Sequence, residues 1–279
     1  MALSTTRQKI ETYFQQIGFQ PVTLDETKKK MPEEIFKHYP EPVRDIKALM
    51  GIRPPSLKSV RQWNNIFSRY YDSSLMSTYE IEIAVLEYLH DVVGKGTIVD
   101  AGCGTGLNLV FLAQALPQTQ MIGYDISQKM IALAKDKVKK IGGCSNLLLL
   151  TSPHTNIYKH IKPASADLVY CKCFDICCQP LVPFFEDSPL GYQSAYWKFF
   201  SEDAVVGQMR QSIVAFKKIL KPGGFFISIG RECNCNPVNV LEEVISQEKF
   251  KVKDDFYQPF GSAPGDDEDH PISARAFVV

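Results

Sequence analysis

From Gly96 onward, short apolar runs alternate with stretches in which apolar residues recur every three or four positions. Thr97–Ala101 reads as a strand, 107–116 as a helix and Gln120–Asp125 as a second strand. Met130, Ile131, Ala134, Val138 and Ile141 then share one side of a helix that Ser127 can N-cap and Gly142-Gly143 ends. Leu147–Thr151, 167–172 and 225–230 give a third, fourth and fifth strand, the last preceded by a helix over 203–220 and the turn Lys221-Pro222-Gly223-Gly224. The tail adds a helix near 238–246, a strand near 250–257 and a last strand over 274–279, with an acidic, solvated run (Asp266, Asp267, Glu268, Asp269) between those two strands. Repeated βα order predicts an α/β fold with a doubly wound, mostly parallel sheet covered by helices on both faces.

Upstream, residues 1 to about 95 read as helices interrupted by Pro32, Pro40, Pro42, Pro54 and Pro55. Trp63, Phe67 and Tyr70 or Tyr71 recur at helical spacing, and Ile81, Ala84, Val85, Tyr88 and Leu89 form a second apolar face. We therefore expect a helical accessory cap over 1–75 and a main domain over 76–279. An aromatic insertion at about 179–202 carries Phe184, Phe185, Tyr192, Tyr196, Trp197, Phe199 and Phe200. Loops at the carboxyl ends of strands border the ligand crevice of such sheets, so this insertion reads either as a lid with an aromatic pocket for a small acceptor or as a segment packed on the N-terminal helices.

Composition narrows the function. The chain has 279 residues, 45% hydrophobic and 22% charged, enough for one large α/β core. Lys plus Arg equals Asp plus Glu at 31 each, so no global field draws it to nucleic acid or an anionic membrane. No apolar run of about eighteen residues and no signal peptide is visible, and the eight cysteines are too tightly spaced for a disulfide framework. A cytoplasmic protein is expected.

The chemistry concentrates in Asp100-Ala-Gly102-Cys103-Gly104-Thr-Gly106, which follows a strand and opens a helix. Glycines let the backbone approach a ligand, and the unpaired N–H groups of the helix start favour an anionic group such as the carboxylate of an amino-acid tail. Asp125 closes the next strand, where a carboxylate can accept both hydrogen bonds of a ribose diol. A nicotinamide dinucleotide fits less well, because its fingerprint wants glycine where Leu107 stands.

The run Val99-Asp-Ala-Gly-Cys-Gly-Thr-Gly106 resembles the first motif of the class I S-adenosylmethionine-dependent methyltransferases, and Gly123-Tyr-Asp-Ile-Ser127 resembles their second. Ala166-Asp-Leu-Val-Tyr170 and 220–224 are similar to the family's fourth strand and the turn before its fifth, so the resemblance covers about 75–279. It implies a seven-stranded sheet with an antiparallel last strand and S-adenosylmethionine as cofactor. On that resemblance Gly102, Gly104 and Gly106 flank the methionine moiety, with Asp100, Cys103 and Asn108 beside them. Asp125 takes the ribose, Ile126 and Ser152 meet the adenine, Tyr71 lies over the cofactor, and Cys171 closes the contact set at the end of strand four.

The activity that follows is methyl transfer to a small organic acceptor. The alternatives are methylation of protein or RNA with the N-terminal segment as docking arm, and a non-catalytic cofactor-binding partner. Methyl transfer from a sulfonium mainly requires alignment, and a base is needed only for a hydroxyl or carbon acid. His154, Asp175, Tyr192, Tyr196 and Glu232 stand near strand ends or the lid as candidates for it. No metal is expected. Cys171, Cys173, Cys233 and Cys235 follow neighbouring strands and read first as packing, with a soft-ion cluster as the alternative, because C-x-C is a tight spacing for zinc.

Overall fold

A computed structural model of the chain describes residues 4–23, 68, 71–172, 202–231, 236–261 and 272–279. Its elements are α1 (Thr5–Ile17), α2 (Tyr71–Met76), α3 (Tyr79–Val92), β1 (Thr97–Ala101), α4 (Leu107–Ala115), β2 (Gln120–Asp125), α5 (Gln128–Lys140) and β3 (Leu147–Thr151). After a 3-10 turn (His154–Lys159) come β4 (Ala166–Lys172), α6 (Glu202–Ile219), β5 (Leu220–Arg231), α7 (Asn236–Gln247), β6 (Lys251–Val252), β7 (Gln258–Gly261) and β8 (Ile272–Val278).

The strand order is β3-β2-β1-β4-β5-β8-β6, with β7 also pairing β8. β1 to β5 are mutually parallel, and β8 is antiparallel to β5, β6 and β7. β8 thus runs against the rest of the sheet. β6 and β7 meet successive stretches of β8, Val278 to Phe277 and then Ala274 to Ile272, so they form one edge strand broken by the 3-10 turn Asp254–Phe256. The seven sheet positions expected from the sequence are therefore filled by eight segments.

Two boundaries differ from the sequence reading for physical reasons. β5 begins at Leu220 rather than Phe225, because Leu220 already pairs Ala166, and Lys221 to Gly224 bulge out before Phe225 pairs Leu168. The strand expected near 250–257 is interrupted, since Lys253 N still donates to Ala276 O at 2.9 Å but Asp254 to Phe256 leave the ladder as a 3-10 turn.

Alternate residues of the central strands enter different cores, as the period of a strand dictates. Ile98, Met121, Leu168, Tyr170 and Ile227 join α1, α3 and α4 on one face. Val99, Ile122, Tyr124, Val169 and Phe226 join α6 and α7 on the other. α4 is buried nearly all round, because α1 covers the side it turns away from the sheet, and the Tyr13 hydroxyl donates to Leu107 O at 2.9 Å. Gly123 makes its sheet contact possible: a Cβ there would lie 2.1 Å from Leu109 Cδ2.

Ser127 N-caps α5 as expected, its Oγ accepting from Met130 N at 3.2 Å. Met130, Ile131 and Ala134 are buried along α5, with Val138 and Ile141 packed at the margin. Trp63, Phe67 and Tyr70 of the expected cap lie outside the described residues, as does the aromatic insertion through Phe200.

Candidate functional site

The carboxyl ends of β1, β2 and β4 deliver the charged residues to one place. β1 ends in Asp100 and Ala101, and the chain then turns through Gly102, Gly104 and Gly106, whose φ angles are +81°, +54° and +75°. Such φ values are costly for residues with a Cβ. Gly106 also packs so closely against α5 that a Cβ would stand 2.8 Å from that of Ala134. The loop is tied to β2, because the Tyr124 carbonyl accepts from Gly102 N at 2.8 Å and Cys103 N at 2.9 Å.

Asp125 fixes the loop from the same strand. Its Oδ2 accepts from Gly104 N at 3.1 Å and its Oδ1 from Ser127 N at 2.7 Å. Burial raises this carboxyl to about 6, even though both N–H groups pull it down. Asp100 is raised further, to about 7, first by burial and then by Asp125, against the downward pull of the Tyr170 hydrogen bond and of Lys172. Tyr170 donates its hydroxyl to Asp100 Oδ2 at 2.7 Å. Two desolvated carboxyls therefore flank the glycine loop.

A cleft opens beside them, lined by Tyr71, Leu75, Asp100, Gly102, Cys103, Leu107, Asn108 and Lys172. Asn108 lies in the first turn of α4, and its Oδ1 is buried without a hydrogen-bond partner. A buried unpaired carbonyl costs about 1–3 kcal/mol, and this one belongs to a side chain that lines the cleft, where a donor arriving with a ligand would offset the cost. With the glycine cradle and the two carboxyls, it fits a ligand carrying an amino-acid end.

The sequence-derived cofactor residues Tyr71, Asp100, Gly102, Cys103, Gly104, Gly106, Asn108 and Asp125 are thus brought together. The Tyr71 ring lies on Gly104, 3.3 Å from where a Cβ would stand. Ile126, half exposed, follows Asp125 and belongs to neither core. Ser152 N donates to Asp125 O at 3.0 Å, which sets the end of β3 beside that of β2. The Cys171 side chain enters the core on the opposite face of the sheet from Tyr170.

His154 stands beside Gly102, its Nδ1 3.1 Å from the Tyr124 hydroxyl and its ring edge-on to Phe216. Burial lowers its conjugate acid to about 4, so the imidazole is neutral at pH 7. Asp175, Tyr192, Tyr196, Glu232, Cys173, Cys233 and Cys235 lie outside the described residues. Among the described residues no three His, Cys, Asp or Glu side chains are grouped to hold a metal, and no helix is long and apolar enough to cross a membrane.

Sequence reasoning missed the ion pairs around the cleft. Glu82 of α3, almost fully buried, grips Lys172 at the end of β4 with both carboxylate oxygens. Asp72 of α2 binds Lys137 of α5 at 2.5 Å. A signal existed in each case: a charged residue on an otherwise apolar helix face, Glu82 among Ile81, Val85 and Leu86, and Lys137 with Met130 and Ala134.

A glycine loop between β1 and a helix, with a carboxylate closing β2 and an antiparallel strand inserted beside β5, defines the Rossmann-like methyltransferase class of fold. Residues 98–186 match the protein family described as "Methyltransferase domain". The release factor glutamine methyltransferase of Rhodopirellula baltica is 26% identical over 162 residues, 55% of this chain and 53% of that protein. An uncharacterized phycocyanin operon protein W of Pseudanabaena tenuis is 35% identical over 43 residues, 15% of this chain and 41% of that one. The chain thus spans about half, or less, of the length of these curated relatives.

Among solved structures, the magnesium protoporphyrin IX methyltransferase from Synechocystis PCC 6803 with bound S-adenosylmethionine shares the fold at a TM-score of 0.52 and 14% identity, covering 80% of this chain and 96% of that one. The (4+2)-cyclase SpnF shares it at a TM-score of 0.54 and 13% identity, covering 82% and 98%. The match to a methyltransferase domain thus spans the core of the parallel sheet, on a fold shared with these structures.

Proposed function

We propose that the protein transfers the methyl group of S-adenosylmethionine to a small organic acceptor. The observation that carries the cofactor half of this reading is the meeting of Asp100, Asp125 and the unpaired Asn108 Oδ1 at a loop of positive-φ glycines. Asp125 uses two of its roughly four acceptor positions on backbone N–H groups, leaving the others for a ribose diol. Asp100 and Asn108 offer acceptors to an ammonium, and Ile126 and Ser152 meet the adenine. Tyr71 covers the cofactor from α2, as part of a helical cap over 1–75.

When bound, the cofactor supplies a methyl group on a sulfonium, already activated for displacement. The protein's task is to hold the nucleophile in line and to keep water away, which Lys172, held by the buried Glu82, and the Tyr71 and Leu75 side chains support by walling the cleft. With its conjugate acid at about 4, His154 is a weak base, and we assign it to the wall behind Gly102 rather than to proton transfer. The small acceptor is supported by the balance of 31 cationic against 31 anionic residues and by the aromatic insertion at about 179–202, read as a pocket lid. A reducing cytoplasm suits its eight cysteines.

A second reading, methylation of a protein, is favoured by the similarity to release factor glutamine methyltransferase over 162 residues. One experiment separates them. Cell extract is incubated with the protein and methyl-tritiated cofactor, and the label is divided into an ultrafiltrate and an acid precipitate. We expect Asp125-dependent label in small molecules of the ultrafiltrate that chromatography resolves from the cofactor; transferred label found in the precipitate alone would establish the second reading. Cofactor binding without any transfer would leave a silent binder, or another reaction on the same fold, since fold alone does not fix chemistry.

A further inference from the structure

We infer that Asp72 and Lys137 are positioning residues that clamp the glycine loop from its outer side and so set cofactor affinity. The inference rests on the reading of that loop as the cofactor cradle. Asp72, in the first turn of α2, receives two donors: the Thr105 hydroxyl at Oδ1 and the Lys137 ammonium at Oδ2, the latter at 2.5 Å. The Lys137 ammonium also donates to the Thr105 carbonyl at 3.0 Å. Thr105 is fully buried between Gly104 and Gly106, so both of its polar side-facing groups are spoken for by this one ion pair.

The clamp completes a set of restraints acting on three consecutive loop residues. Asp125 holds Gly104 through its N–H, the ion pair holds Thr105, and Ala134 of α5 presses on Gly106. Asp72 adjoins Tyr71, whose ring rests on Gly104, and Leu75 of the same helix lines the cleft. Through Asp72 the loop, α5 and the cleft-lining helix α2 are therefore tied together.

Stability alone does not call for this arrangement. Lys137 is 6% exposed on the apolar face of α5, where an aliphatic residue would pack without desolvating an ammonium. Asp72 keeps 30% of its side chain in solvent, but the buried Lys137 still bears the desolvation cost that makes such pairs commonly neutral or unfavourable relative to apolar replacements, and their attested use is to fix one geometry. What this pair fixes is the orientation of the Thr105 peptide, and with it the N–H groups that the loop presents at the start of α4.

The test uses Lys137→Met and Asp72→Asn in the full chain, with two readouts. Calorimetric titration with S-adenosylhomocysteine should show affinity about tenfold weaker in each, the double variant no weaker than Lys137→Met alone, and Lys137→Arg restored to near the parent value. Hydrogen exchange of the unliganded variants should quicken at 102–106 while β1 and β2 keep their protection, a local change that general destabilisation does not produce. Should Lys137→Met fail to fold, Asp72→Asn decides. Affinities within twofold of the parent and unchanged loop exchange would overturn the clamp. A parent protein that refuses the ligand would sink the cofactor reading instead, and loop exchange would still decide whether the clamp exists.

Discussion

The two ends of the parallel sheet treat carboxylates in opposite ways. At its amino end, Asp167 of β4 accepts from Thr97 N at 2.8 Å and from Lys221 Nζ at 2.7 and 2.8 Å. Burial pushes that carboxyl up, but the hydrogen bonds from Lys221 and Thr97 outweigh it and the group is held below its ordinary range. At the carboxyl end, Asp100 and Asp125 stand at about 7 and about 6. The residue type is the same and the strands belong to one sheet, yet one end is saturated with partners from within the chain, while the other keeps desolvated carboxyls and an unpaired Asn108 carbonyl. The fold needs the first end. On the proposed reading, a ligand completes the second.

The sharpest way to break the contrast is Asp125→Asn. If Asp125 serves the ribose, losing two charge-assisted hydrogen bonds should weaken S-adenosylhomocysteine binding by about a hundredfold, or roughly 3 kcal/mol. The melting temperature should fall by only a few degrees, since the loop keeps its ties to the Tyr124 carbonyl. Titration calorimetry and a thermal scan on one preparation measure both. A large loss of stability with little loss of affinity would make Asp125 a structural residue like Asp167.

A pH series probes the same contrast through Asp100. Its carboxyl is raised on folding, so the folded state binds more protons than the unfolded chain between about pH 4 and 7. The stabilisation is complete below the unfolded value and is lost as pH rises through about 7. His154, lowered to about 4, acts in the opposite sense below its ordinary value of 6.5, so the comparison must be made against Asp100→Asn. From pH 5 to 8 the unliganded parent should lose about 2 kcal/mol more stability than that variant in urea titrations. Saturating ligand should flatten the difference, because a bound cation favours the ionised carboxyl. Parallel curves for parent and variant would remove the desolvated charge from the account.

This division also explains what could be read from the sequence. β1, β2 and β3 were legible to the residue because each is an apolar run bounded by turn signals, and Ser127 declared its cap. The glycines and Asp125 were legible because a loop's φ requirements and a strand-end carboxylate are local properties. Glu82, Lys172, Asp72 and Lys137 were not, since their partners lie 90 and 65 residues away. Only tertiary folding reveals that a charge on an apolar face has found its counterion. The bulge in β5 and the break between β6 and β7 were hidden for a related reason: pairing with Ala166 and with β8, rather than local propensity, decides where the ladder continues.

The smallest effect belongs to the saturated end. Asp167→Asn removes the ion pair with Lys221 and weakens the acceptor for Thr97 N, at a site where both side chains are partly in solvent, at 34% and 43% exposure. Screening limits the loss to about 1 kcal/mol. The sign with pH is the reverse of that for Asp100: a lowered carboxyl contributes stability above its unfolded value, lost as pH falls through the folded one. The parent's advantage over Asp167→Asn should therefore be present at pH 7 and shrink in acid. Ligand affinity should not change, because Asp167 lies at the far end of β4 from Lys172 and the cleft. Denaturant titrations at pH 7 and pH 3.5, with calorimetry at pH 7, check all three statements. An affinity loss comparable to that of Asp125→Asn would mean that the two ends of the sheet are coupled, and that the division of labour between them is wrong.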